Sequence, residues 1–411
     1  MSGPLPRHAP MTQFPVVDDC LQVGGMPLTA LAAQVGRTPF YAYDKRLLTE
    51  RVALLRRHLP REVKLHYAVK ANPMPVLATF MAELVDGLDV ASAGELRVAL
   101  ATGTPPRNIS FAGPGKTPDE LSRALAADIL LNVESPNEVR RVGQIAKELA
   151  RPARVAVRVN PDFELKASGM KMGGGPKQFG VDAEQVPGLL REIGALGLAF
   201  EGFHIFTGSQ NLHADAICEA QRKSFDLAVE LAAHAPAPVR VVNIGGGFGI
   251  PYFPGEQPLD LEPIGKNLDA LVPAAREKLP QAELVVELGR YLVGEAGVYV
   301  CKVLDRKISR GHVFLVTDGG LHHHLAASGN FGQVIRKNYP VAIGNRVRGA
   351  RREIASVVGP LCTPLDVLAD RMELAEAQPG DLVVVFQSGA YGLTASPTAF
   401  LGHPAPAEVL V

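Results

Sequence analysis

The chain has 411 residues, with 42 basic and 42 acidic side chains, 47% hydrophobic and 20% charged residues. That length predicts two domains, and the make-up is that of a soluble globular protein rather than a disordered or fibrous one. Zero net charge without a polybasic run argues against nucleic acid, and no apolar run approaches membrane-spanning length. The four cysteines (Cys20, Cys218, Cys301, Cys362) form no CxxC pair or disulfide framework, and "MSGPLPRHAPMTQF" lacks the apolar core of a signal peptide. A reducing cytoplasm is the expected location.

In chain order, a helix is expected over "KRLLTERVALLRRHL". Eight β-rich runs then follow: "VKLHYAV", "GLDVA", "NISFAG", "DILLNV", "RVAVRV", "FEGFHI", "VRVVNI" and "LVVEL". Helical patterns such as "PVLATFMAELV", "AGELRVALATG", "TPDELSRALAA", "SPNEVRRVGQIAKEL" and "AICEAQRKSFDLAVELAAHA" lie between them. Eight such units over residues 38–290 predict an α/β domain, a TIM-type (β/α)8 barrel, with an open Rossmann-like sheet as the alternative. After residue 290 the rhythm becomes all-β, through "GVYVCKVLDRKI", "HVFLVTDGG", "ASVVGP" and "DLVVVFQSG". Residues 291–411 are expected to form a β-sandwich or barrel, with residues 1–37 packing against it.

"HYAVKANP" puts Lys70 at the C-terminal end of the first barrel strand, where active sites of such barrels gather. A desolvated lysine there could form a Schiff base, although a lone lysine is more often surface charge. Gly245, Gly246 and Gly247 of "NIGGGFGIP" follow the seventh strand and could turn backbone N–H groups onto an anion, though such a run is usually a plain turn. "VVELGRYL" ends the eighth strand with Glu287, able to hold a pyridine nitrogen protonated, and Arg290, able to meet phosphate; a surface ion pair is the plainer reading. Tyr391 of "SGAYGLTAS" could give its hydroxyl to a phosphate or simply cap a core. "GPGKT" fails as a P-loop because Ser110 stands where the first glycine belongs. The run His322, His323, His324 lacks zinc-site spacing and reads as loop or surface histidine. Together these motifs describe a phosphate-bearing aldehyde held by a lysine, which fits pyridoxal 5'-phosphate better than any nucleotide.

The ordered series "YAVKAN", "GLDVASAGEL", "VRVNP", "GGGFG", "ELGR", "GPLC", "GAYG" and a final "EVL" resembles the fold-type III pyridoxal-phosphate decarboxylases, the group of diaminopimelate and ornithine decarboxylases. The resemblance runs from "FYAY" to "PAPAEVLV". It implies an alanine racemase-like barrel, a C-terminal β-domain, and a homodimer whose active sites take residues from both subunits. Lys70 would be the Schiff-base lysine, with Asp89, Glu95 and Arg158 beside it. Ser209, Gly245 to Gly247, Arg290 and Tyr391 would hold the phosphate, and Glu287 would meet the pyridine nitrogen. Cys362 would come from the partner subunit as proton donor.

Three positions depart from the bulk of that family. Phe206 aligns with a histidine that stacks on the cofactor ring, leaving His204 as a neighbour two residues earlier; either could face the ring. Gln178 replaces a lysine. Thr363 follows Cys362 where diamino-acid enzymes carry an acid for the distal ammonium. "MGGGPKQFG", "HIFTGSQNL", "GPLCTP" and "SPTAFLGHPAP" resemble a smaller subgroup: one branch is associated with exosortase gene clusters, and another decarboxylates glutamate tethered to an acyl-carrier protein in butirosin biosynthesis. An amino acid without a distal ammonium, free or tethered to a carrier, is therefore the expected substrate, with Thr363, Asp366, Arg336 and Tyr339 as the expected substrate residues. The rivals are a free diaminopimelate decarboxylase, a racemase, a non-catalytic pyridoxal-phosphate carrier and a sugar-phosphate barrel enzyme.

Overall fold

The computed structural model describes residues 7–163, 170–171, 173–333 and 336–411; the first six residues and Met172 of "MGGGPKQFG" lie outside them. The chain forms two compact units. One comprises Arg51–Gly249 and Leu259–Leu292, the other Met1–Glu50, Ile250–Pro258 and Val293–Val411. Among the described residues no helix is long and apolar enough to cross a membrane.

The first unit is the barrel. Its strands are β1 (Lys64–Ala68), β2 (Gly87–Val90), β3 (Ile109–Phe111), β4 (Leu130–Val133), β5 (Arg154–Asn160), β6 (Ala199–Ile205), β7 (Val241–Gly246) and β8 (Glu283–Leu288). All eight fall on the expected runs. Each pairs in parallel with the next, β8 pairs with β1, and β4 pairs with β5, so the sheet closes. Three consecutive helices start at the C-terminal end of their strands with a capping residue and a glutamate three positions on. Ser92, Thr117 and Ser135 accept the backbone N–H of Glu95, Glu120 and Glu138, which fixes where each strand hands over to its helix. Helices Val186–Ala195 and Glu262–Lys278 escaped the periodicity, the second because Gly265 and Pro273 interrupt its pattern.

The second unit is mostly sheet. Its strands run in the order Val341–Ile343, Leu382–Val385, Gly297–Ser309, His312–Thr317, Arg352–Val358, Val367–Ala375. Phe40–Tyr43, assigned to the barrel from the sequence, belongs here instead. It lies between Gly297–Ser309, antiparallel, and Ala407–Leu410, parallel. All four of its residues are buried, so it needs a sheet on both edges, and the closed barrel offers no edge. Val367–Ala375 ("VLADRMELA") was missed because three charges and several helix formers mask its alternation. His322, His323 and His324 are not surface residues: none is more than 1% exposed. Burial pushes the first two down to about 4 and His324 to about 3, so the run packs as neutral rings.

Candidate active site

The chemistry-bearing side chains of the barrel gather at the C-terminal ends of its strands. Lys70 lies in a single 3-10 turn, Val69–Ala71, directly after β1. Val69 and Ala71 are buried while Lys70 is exposed in the isolated chain, so the desolvation expected from an apolar strand end reaches its flanks and not the amine. Its ammonium stands 5.7 Å from the Phe206 ring centroid. Glu95 belongs to the first turn of helix Ala93–Ala101 after β2 and accepts the Ala91 N–H at 2.8 Å. Burial pushes the Glu95 carboxyl up, and the Ala91 hydrogen bond and the Lys70 charge only partly reverse this.

Asp89 is 5% exposed on β2. Its Oδ1 accepts the Ser110 hydroxyl at 2.5 Å and lies 3.2 Å from His66 Nδ1, while Oδ2 has no partner. His66 went unnoticed in the sequence although "HYAVKANP" begins with it. Burial works to lower its pKa, yet the Asp89 charge and hydrogen bond, with the Glu287 and Asp86 charges, together outweigh burial and leave it raised.

Glu287, the last residue but one of β8, is 7% exposed. His204 Nε2 on β6 lies 3.1 Å from Glu287 Oε2, and Asn243 Nδ2 on β7 donates to the same oxygen at 3.3 Å. Burial alone would raise the Glu287 carboxyl. The His204 contact, with the Lys70 and Arg158 charges behind it, outweighs burial and holds the carboxyl well below its usual range. Neither ring nitrogen of His204 has an aligned hydrogen-bond partner. His204 is thus the neighbour of Glu287, and Phe206 the neighbour of Lys70.

The glycine run ends β7 and enters the loop after it. Gly245 and Gly247 have φ of 71° and 74°, which only glycine takes without strain. A Cβ on Gly246 would lie 2.2 Å from the Glu287 carbonyl oxygen, and one on Gly245 would lie 3.0 Å from that of Ile205. The Asn211 N–H donates to Gly247 O at 2.9 Å, and the Gly249 N–H to Asn211 O at 2.8 Å, which ties the loop after β6 to the loop after β7. Ser209, on that first loop, has a buried Oγ without a partner. Arg290 opens the short helix Arg290–Val293 that follows β8.

Arg158 on β5 is 7% exposed and donates from Nη1 to Glu134 Oε1 at 2.9 Å. Its guanidinium lies over the Phe179 ring, 5.0 Å from the centroid. Glu134 also accepts the Gly113 and Gly180 N–H groups at 2.6 and 3.1 Å. Sequence reasoning passed over Glu134, yet it follows an apolar strand just as Glu287 ends one. Lys116 of "GPGKT" is 2% exposed and donates to Gly113 O, Asn132 O and Glu138 Oε1 at 2.7–2.8 Å, so this lysine is part of the scaffold. Gln178 is exposed.

In the β-unit, Cys362 is exposed, and its neighbour Leu365 is 59% exposed. Tyr391 sits at φ 53° within "GAYG". Tyr339 is buried against Tyr252, ring centroids 4.6 Å apart. Asp366, taken from the sequence as a substrate residue, is 2% exposed and accepts the Leu321 and Leu361 N–H groups at 2.6 and 2.8 Å.

The barrel groups fit pyridoxal phosphate. Ser209 Oγ is a buried polar atom without a partner, the glycine turn packs so tightly on β6 and β8 that a Cβ on Gly245 or Gly246 would meet a backbone carbonyl, and Glu287 is held as a carboxylate. An amine, an anion cradle and a carboxylate set on three different strand ends of one (β/α)8 barrel define a pyridoxal-phosphate enzyme. The family described as "Pyridoxal-dependent decarboxylase, pyridoxal binding domain" matches residues 45–294, and the chain belongs to these fold-type III decarboxylases. It is 40% identical to the L-glutamyl-[BtrI acyl-carrier protein] decarboxylase of Niallia circulans, over 93% of this chain and 90% of that one. It is 34% identical to the diaminopimelate decarboxylase of Aquifex aeolicus, over 96% and 91% of the two chains. The structure of diaminopimelate decarboxylase from M. jannaschii in complex with L-lysine superposes with a TM-score of 0.86, at 26% identity, over 97% of this chain and 92% of that one. The protein is a pyridoxal-phosphate-dependent decarboxylase.

Proposed function

We propose that this decarboxylase acts on an amino acid whose side chain ends without an ammonium group, the first candidate being a glutamyl group carried on an acyl-carrier protein. The observation that carries this reading is the state of the acid on the loop bearing Cys362. Thr363 is uncharged, and its hydroxyl accepts the Leu365 N–H at 3.3 Å. Asp366 is the single acid between Gly359 and Leu368, and both its oxygens are engaged by backbone N–H groups. At 2% exposure, with each oxygen already holding a backbone N–H, this acid is poorly placed to pair with a distal ammonium. A cation stands nearby instead. Arg336 donates from Nη1 to Ser328 O, while its Nε and Nη2 are buried without partners. Asn330 Nδ2 bonds Ser328 Oγ at 2.8 Å and reaches Leu365 O at 3.4 Å, joining this arginine's surroundings to the Cys362 loop. Two unused guanidinium donors suit an acceptor-rich group such as an acyl carbonyl or a carboxylate. The name of the Niallia circulans relative points the same way.

In this reading Lys70 holds the cofactor through Nζ, with Asp89, Glu95 and Arg158 around it. Ser209, the Gly245–Gly247 turn, Arg290 and Tyr391 hold its phosphate, and the Phe206 ring lies against its face. Pyridoxal phosphate, when bound, supplies the sink for the electron pair left on the α-carbon as CO2 departs. Glu287, kept ionised by its surroundings, holds a proton at the ring nitrogen; an arginine there would favour racemisation. Cys362 of the partner subunit returns a proton from Sγ to the α-carbon. The exposure of Cys362 and Leu365 in the isolated chain supports a homodimer, and the absence of disulfides among the described cysteines supports a cytoplasmic location.

The test is CO2 release from glutamyl-carrier protein beside free glutamate, lysine, ornithine and diaminopimelate. The carrier-bound substrate is expected to exceed the diamino acids in kcat/KM by about 100-fold, the worth of one lost charged anchor. Comparable turnover of free diaminopimelate would refute the reading.

A further inference from the structure

Asn243 is 6% exposed on β7 and touches two parts of the site at once. Its Oδ1 accepts the Gly245 N–H at 2.9 Å, and its Nδ2 donates to Glu287 Oε2 at 3.3 Å. The ladder explains why this residue is needed. Between β7 and β8, Asn243 pairs with Val285, but the next pair is Gly246 with Glu287. Strand β7 therefore carries one extra residue, a bulge that turns the glycine run out of the sheet. A bulge leaves backbone polar groups without a ladder partner, and the Asn243 side-chain Oδ1 accepts the Gly245 N–H. With Oδ1 so engaged, the amide can only donate to Glu287, and it is satisfied only by an acceptor oxygen there.

We propose that Asn243 is a positioning residue that ties the glycine turn of the phosphate cradle to the ring-nitrogen carboxylate, so that both ends of the cofactor are gripped by one connected element. This rests on the reading that Glu287 faces the ring nitrogen. Other groups act on Glu287: His204 from β6, Lys70 after β1 and Arg158 from β5, while His66 on β1 in turn feels its charge. Asn243 touches both Glu287 and the glycine turn.

The substitution Asn243→Asp keeps the acceptor for Gly245 but sets a second carboxylate against Glu287. Like charges at that distance share a proton. Two substrate-free readouts follow: the affinity of the apoenzyme for pyridoxal phosphate, and the pH titration of the bound cofactor's visible band. Asn243→Asp is expected to weaken binding roughly 10- to 100-fold and to add an ionisation between about pH 5 and 8 that the native enzyme lacks. Combining Asn243→Asp with Glu287→Gln restores a donor facing an acceptor. Affinity should then recover to within about fivefold of Glu287→Gln alone, and the added ionisation should vanish. Asn243→Asp within about twofold of native affinity with no new ionisation, or a double variant whose losses simply add, would overturn the proposal. A cofactor band unchanged by Glu287→Gln alone would overturn the assignment of Glu287, and the proposal with it. None of these measurements uses a substrate, so failure of the glutamyl-carrier reading would show separately.

Discussion

Glu134→Gln tests the scaffold behind the site. Glu134 is 5% exposed and serves Arg158, Gly113 and Gly180 together. The variant removes a buried charged partner of the 7%-exposed Arg158 guanidinium and turns one acceptor oxygen into a donor facing donors. Breaking a buried pair from one side costs about 3–5 kcal/mol. The remaining amide oxygen keeps one acceptor, so about 3 kcal/mol is expected. At roughly 2–4 °C per kcal/mol for a cooperative unit of 150–250 residues, the melting temperature should fall by roughly 6–12 °C. The sign with pH follows from the carboxyl's state. Burial works to raise its pKa, but Arg158 and then Lys116 outweigh it, so the folded value is depressed. A depressed carboxyl contributes its full stability above its unfolded pKa of about 4.3 and loses it as pH falls through the folded value. The gap between native and variant protein should be complete at neutral pH and close in strong acid. Thermal melts followed by circular dichroism at pH 7 and pH 3.5 measure both. A variant within about 1 °C of native protein at pH 7 would refute the argument that this carboxylate sustains Arg158.

Three further outcomes are expected. Lys116→Met leaves the Glu138 carboxylate, 1% exposed, without its cation, and should cost about 3–5 kcal/mol in urea unfolding; adding Glu138→Leu should recover only part of it, because the charge is gone but the Glu134 N–H and the Gly113 and Asn132 carbonyls stay without partners. Gly246→Ala must place a methyl 2.2 Å from the Glu287 carbonyl oxygen, so cofactor affinity should fall at least about tenfold, read from the visible band during titration with pyridoxal phosphate. The buried imidazoles of His322 and His323, lowered to about 4, are neutral in both states above pH 6.5; between there and pH 4 the unfolded chain takes up protons first, so stability falls with acid, by up to about 1.4 kcal/mol per pH unit for each ring. His322→Phe should flatten that slope in melts taken from pH 7 to pH 4.5, and an unchanged slope would refute it.

Much of this protein was legible before folding. The eight barrel strands announce themselves because each is a short apolar run, and after three of them a capping residue opens the next helix. Ser92, Thr117 and Ser135 mark the handovers through local hydrogen bonds only. Lys70, Glu287 and the glycine run were visible because they interrupt or end such runs. The missed residues share a different property. Glu134, Asn243 and His66 are ordinary polar residues in sequence, and each acquires its role from a partner 2 to 46 positions away: Gly245 and Glu287 for Asn243, Asp89 for His66, and Gly113, Arg158 and Gly180 for Glu134.

Period, turn chemistry and strand-end residues therefore determined the barrel, the β-domain and the cofactor class, because those signals act over a few residues of backbone. The tertiary structure decided the rest. It moved Phe40–Tyr43 into the second sheet and buried three histidines that look like surface residues. It also buried Asp366 and engaged each of its oxygens with a backbone N–H group. Whether a polar side chain is free to act depends on which distant groups already satisfy it, and burial makes that satisfaction compulsory.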